Sequence, residues 1–99
     1  MAINLSGESV LILGAGVTGI AVARSLSAKG AAILFADDQV ETVEGFKVSK
    51  SDKIQVDGLS FIVISPGWKE SHPLIVKAQA AAISTVVVFP LVPVKAIHF

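Results

Sequence analysis

The 99-residue sequence contains no cysteine. Disulfide staples, thiolate zinc sites and a thiol nucleophile are therefore excluded, and the composition suits a reducing cytosol, which is the expected location. Net charge is missing too, because eight Lys and Arg balance eight Asp and Glu. No overall field draws the chain to nucleic acid or to an anionic membrane, and no basic stripe with interleaved aromatics marks a nucleic-acid surface. The only histidines are His72 and His98, neither at ligand spacing from a carboxylate, so no metal site is expected. His72 precedes a proline and reads as a helix-entry residue rather than a base. Ser65 has no histidine placed to activate it as a nucleophile. Length is the last shortage: 99 residues make one domain, with no room for a second lobe closing over a substrate.

Export and membrane signals are also absent. The apolar run Val10–Ala23 has no Lys or Arg before it and Glu8 at its entrance, the wrong charge for a secretion signal. Ala78–Val94 is uncharged over 17 positions, but Gln79, Ser84, Thr85, Pro90 and Pro93 interrupt it. A bilayer helix needs about 20 predominantly apolar residues, so no membrane span is expected.

What is present is apolar. Hydrophobic residues make up 53% of the chain and charged ones only 16%, a balance that suits parallel strands buried on both faces. Val10–Leu13 and Ala32–Ala36 are short aliphatic runs that read as strands. Between them, good helix formers run to Lys29, and Gly30 is placed as the residue that ends the helix. Strand, helix and strand in this span have the size of a right-handed βαβ unit. Gln39–Gly58 carries Glu41, Glu44, Lys47, Lys50, Asp52, Lys53 and Asp57. It reads as solvent-facing, too polar for a core element, with short strands near Phe46–Val48 and Lys53–Val56. Leu59–Ile64 is a further buried strand, stopped by Ser65-Pro66-Gly67. Pro73 suits a first helical position, and Leu74, Ile75, Ala78 and Ala82 follow at helical spacing. Ile83–Phe89 is the last expected strand. Pro90–Phe99 is a hydrophobic tail of no evident role that offers a route to self-association.

Gly14-Ala15-Gly16-Val17-Thr18-Gly19 is a Gly-x-Gly-x-x-Gly between a strand and a helix. Gly14 permits the tight turn, Gly16 lets backbone approach a phosphate, and Gly19 allows close packing of helix on strand. The N–H groups of Val17, Thr18 and Gly19, at the positive end of the helix dipole, suit a diphosphate. NAD, FAD and nucleotide sugars all remain open as its owner. Asp37 lies 21 residues after Gly16, at the end of the second strand, where a carboxylate accepts hydrogen bonds from a ribose or base. Asp38 beside it disfavours a 2′-phosphate. The turn Ser65-Pro66-Gly67 should share the same carboxyl edge of the sheet, where its hydroxyl and backbone N–H groups reach a ligand. The expected architecture is a Rossmann-like, three-layer α/β domain over 1–89, with a mostly parallel sheet of about four or five strands, followed by the tail 90–99.

Three segments taken together resemble the N-terminal domain of the Mur ligases, of the D-glutamate-adding MurD type. They are Val10–Ala21 with its Thr-Gly ending, the acidic strand end at Asp37, and Ile62–Gly67 followed by His72-Pro73 and an Ala-rich helix. The resemblance covers roughly residues 6–88. It implies a domain of peptidoglycan synthesis that holds the UDP part of UDP-N-acetylmuramoyl-L-alanine, or UDP, and not NAD. Val17 and Thr18 would then face the diphosphate, Asp37 the uridine, and Ser65, Pro66 and Gly67 the uracil and sugar side. The chain departs from the family in having Asp38-Gln39 where Thr or Ser and then Arg are usual, and Trp68 where an aliphatic residue is usual. It contains no Gly-x-x-Gly-Lys-Thr/Ser phosphate loop. ATP and magnesium are therefore expected only in a full-length ligase, no cofactor is expected in this chain, and the chain alone is expected to be catalytically inert. A dinucleotide-binding module and a non-binding remnant or interaction domain are the alternatives.

Overall fold

A computed structural model describes residues 4–65, 68–69 and 71–87. Five strands and two helices follow in order: β1 (Ser9–Leu13), α1 (Val17–Ala28), β2 (Ala32–Ala36), β3 (Lys47–Ser49), β4 (Phe61–Ile64), α2 (Pro73–Ala80) and β5 (Ser84–Val87). All strand pairings are parallel, in the order β3-β2-β1-β4-β5. The parallel α/β sheet expected from the sequence is therefore present. β1 lies at its centre, with Leu11 beside Leu34 of β2 on one side and Ile62 of β4 on the other.

Alternation along the strands builds two cores. Leu11 and Leu13 of β1 and Ile62 and Ile64 of β4 pack with Leu74, Ile75 and Ala78 of α2. Val10 and Ile12, with Phe35 and Val63, pack instead with Ala23 of α1. The two helices thus cover opposite faces of the sheet, as right-handed crossovers running outward in both directions from the centre require. Because β1 is buried on both faces, its residues are apolar without alternation.

The ends of α1 follow from local chemistry. At its C-terminus the Gly30 N–H bonds to Ser27 and the Ala31 N–H to Leu26, a Schellman pattern. Gly30 adopts φ +100° there, which glycine tolerates without steric cost. α2 ends in the same way, with Ala82 bonding to Gln79 and Ile83 to Ala78. Here Ala82, expected inside the helix, stands just beyond it at φ +57°.

The polar segment departs from expectation. β3 forms near the place anticipated, but Lys53–Val56 is not a strand. Ser51–Lys53 make a 3₁₀ turn, and Ile54 and Val56 then sink into the core on the α2 face. The segment is therefore solvent-facing only in part. β1 already has both neighbours, so no central edge is free for another strand. Alternating burial here comes from covering a helix-side layer, not from a ladder. At the sheet edge Val86 and Val87 of β5 are exposed, as is Val76 of α2. Phe89 and the tail 90–99 lie outside the described residues. Among those described, no helix is long and apolar enough to cross a membrane.

Candidate functional site

The strand order reverses between β1 and β4. The chain leaves β1 for β2 and β3, then returns to the other side of β1. A crevice opens at the carboxyl ends of strands at such a point. Gly14 and Ser65 stand there side by side. The Gly14 N–H bonds to Ala36 at 2.9 Å and the Ser65 N–H to Leu13 at 3.1 Å. The buried Ser65 hydroxyl donates to the Gly14 carbonyl at 3.4 Å.

The three glycines have different reasons for being glycine. Gly14 turns at φ +103°, and a Cβ there would lie 2.9 Å from Trp68 Nε1 and 3.0 Å from Ser65 Cβ. A Cβ on Gly19 would run into the Gly14 carbonyl oxygen, so α1 can cross the end of β1 only without one. A Cβ on Gly16 would meet nothing within 4 Å. The space beside Gly16 is open, which is what backbone approach to a ligand demands.

Gly16 is the N-cap of α1, with no side-chain cap and no acidic residue in the first turn. The first intrahelical bond runs from Ile20 to Gly16. The N–H groups of Val17, Thr18 and Gly19 precede it and point out of the helix end. Val17 is almost fully exposed, at 89%. These residues, with Ser65 and Trp68, line a depression of about 250 Å³. α2 differs: the His72 Nδ1 accepts the Leu74 N–H at 3.1 Å and Pro73 occupies the first turn. His72 is thus the helix-entry residue expected.

Asp37 is brought to the glycine turn, but mainly as a scaffold. One carboxylate oxygen accepts the Ala15 N–H and the other accepts those of Gln39 and Val40, each at 2.8 Å. Burial alone would raise the Asp37 carboxyl. The N–H groups of Ala15, Val40 and Gln39 outweigh it and hold the group below its ordinary value. Asp38 is likewise engaged, accepting from the Ser51 N–H at 2.8 Å and from the Ser51 hydroxyl. Those two bonds, with weaker pulls from His72 and Lys50, lower its pKa. Asp37 and Asp38 line a second, larger depression of about 620 Å³ together with Gln39, Trp68, Lys69 and His72. Pro66 and Gly67 lie outside the described residues.

One participant was not anticipated. Ser51 reaches Asp38 from the start of the 3₁₀ turn, 13 residues away, and no local pattern marks such a partner. Trp68 stands where the family usually has an aliphatic residue. It packs against the α2-side core and also lines both depressions. Its position just after the Ser-Pro-Gly turn was the available signal.

A parallel α/β domain with an open helix N-terminus at the reversal of strand order belongs to the Rossmann-like class of folds. Sequence comparison narrows the class. Residues 8–87 match the family described as Mur ligase MurD-like, N-terminal domain, and the chain belongs to that family. Relatives include UDP-N-acetylmuramoylalanine–D-glutamate ligases of Corynebacterium diphtheriae, 32% identical over 84% of this chain, and of Cereibacter sphaeroides, 35% identical over 81%. The enzyme of that name from Chlamydia muridarum is 30% identical over 80%. The chain spans about a fifth of the length of these relatives, 19% of the first two and 20% of the third. No solved structure matches the chain.

Proposed function

We propose that this domain binds the UDP moiety of UDP-N-acetylmuramoyl-L-alanine, as the N-terminal domain of a D-glutamate-adding ligase of peptidoglycan synthesis in the cytoplasm. The observation that carries the reading is the family match over residues 8–87, and the uncapped start of α1 with open space beside Gly16 supports it. The N–H groups of Val17, Thr18 and Gly19 receive the diphosphate, and the bare Gly16 lets it approach. Charge-assisted bonds to backbone N–H groups at a helix start are among the stronger hydrogen bonds. The resemblance assigns Ser65, Pro66 and Gly67 to the uracil and sugar side, and Trp68, close after them in sequence, lines the depression that holds Asp37 and Asp38.

The commitment of Asp37 argues against a dinucleotide. A carboxylate offers roughly four acceptor positions, and three are occupied by backbone N–H groups. One remains, enough for a single ribose hydroxyl and too few to clasp a ribose diol. Asp37 therefore shapes the turn and contributes one contact to the uridine.

Titration with UDP, UDP-N-acetylmuramoyl-L-alanine, NADH and ATP, followed by amide chemical shifts, tests the reading. Uridine ligands should move the Gly16–Gly19, Asp37 and Ser65–Gly67 signals, and NADH should not. Preference for NADH would replace the reading with the dinucleotide one, and silence towards all four would leave a non-binding domain. The same preparation should release no ADP in a D-glutamate-dependent assay, since the sequence holds no phosphate loop for γ-phosphate transfer.

A further inference from the structure

Trp68 is the sole tryptophan of the chain, and its placement has a consequence for the same site. The indole Nε1 lies close enough to Gly14 that a Cβ there would be 2.9 Å away. The N–H has no acceptor among the described residues, and it borders the depression formed by Gly16, Val17, Thr18 and Gly19. The ring is held from behind. It packs on the α2-side core, and its centroid lies 4.7 Å from that of His72, with the planes tilted by 58°. The His72 ring is itself fixed by accepting the Leu74 N–H. A donor on a restrained aromatic ring loses little entropy when a ligand arrives.

We propose that the Trp68 indole N–H donates a hydrogen bond to the diphosphate of a bound nucleoside diphosphate. It adds a side-chain donor to the three backbone donors of α1, and the ring forms the wall between the diphosphate and the depression that carries Asp37 and Asp38. An aliphatic residue at this place would supply the wall and not the donor. Trp68 is thus a specificity residue that favours ligands carrying the diphosphate over the bare nucleoside. The inference rests on the UDP reading above.

The single indole N–H signal in a ¹H–¹⁵N spectrum reports on it directly. UDP and inorganic pyrophosphate should shift that signal downfield, while uridine leaves it in place. Trp68→Phe retains the ring and removes the donor. It should weaken UDP binding by about tenfold, the effect of losing one hydrogen bond to a charged group, and leave uridine affinity unchanged. Movement of the Val17–Gly19 amides with a stationary indole signal would overturn the role of Trp68 while sparing the UDP reading. So would equal losses of UDP and uridine affinity in Trp68→Phe. Failure of UDP to move the Val17–Gly19 amides of the unaltered chain would overturn both.

Discussion

The Asp37 carboxylate accepts the backbone N–H of Ala15 across 22 residues of sequence, at 2.8 Å. That bond ties the end of β2 to the turn leaving β1, while the other carboxylate oxygen holds Gln39 and Val40. One side chain therefore fixes the shape of two loops that meet at the crevice.

Removing this side chain should cost stability and binding together. Asp37→Ala leaves three N–H groups without their acceptor, and a loss of about 2 kcal/mol is expected for bonds to a charged group in a partly buried place. Urea denaturation measures the loss. An Asp37→Ala variant as stable as the parent would show that water replaces the carboxylate without penalty.

Acid should act through the same groups. Asp37 and Asp38 both titrate below the ordinary carboxylate value in the folded chain, whereas an unfolded Asp titrates near about 3.9. A depressed folded pKa contributes stability that is fully present above the unfolded value and lost as pH falls towards the folded one. Melting temperature should therefore decline below about pH 4. Asp37→Asn should flatten that decline. Asp38 is fully solvated, and its share should fade further with added salt.

Gly16 and Gly19 have opposite surroundings and should separate cleanly on mutation. Gly16→Val places its side chain in open space with an extended backbone, so stability should change by no more than about 1 kcal/mol. UDP binding should be lost, because the side chain blocks the approach. Gly19→Ala drives a methyl into the Gly14 carbonyl and should destabilise by about 1–3 kcal/mol, as overpacking does. Calorimetric melting paired with UDP titration distinguishes them, and retained UDP binding by Gly16→Val would refute the assigned geometry.

The left-handed Ala82 predicts a gain. An L-residue in this region pays roughly 1–2 kcal/mol, partly offset by the greater chain entropy of glycine. Ala82→Gly should stabilise the fold by about 0.5–1 kcal/mol, visible as a higher denaturation midpoint with an unchanged slope. A lower midpoint would mean that the Ala82 methyl makes contacts worth more than its strain.

β1, α1 and β2 were legible because their signals are local. An aliphatic run, a glycine turn, a helical stretch and a closing Gly30 lie within one βαβ unit, and each agrees with the next. Ser65 could be placed at the same edge for a similar reason, since a parallel sheet brings all carboxyl ends together. Lys53–Val56 was misread as a strand because alternating Ile54 and Val56 look alike whether the burying partner is a sheet or a helix layer. The end of α2 falls two residues before the expected Ala82, because a reversal into β5 at Ala82 leaves no glycine to announce it.

Spacing and residue type therefore suffice for the class of fold, the glycine turn and the sheet edge that Gly14, Asp37 and Ser65 share, since these depend on short-range backbone geometry and on strand burial. The use made of each carboxylate does not follow from them. Asp37 holding Ala15, Asp38 holding Ser51, and the Trp68 indole set against Gly14 all depend on atoms far apart in the chain. Directional hydrogen bonds and van der Waals contact act only over a few ångströms, so these pairings exist only once the sheet has brought its strand ends together.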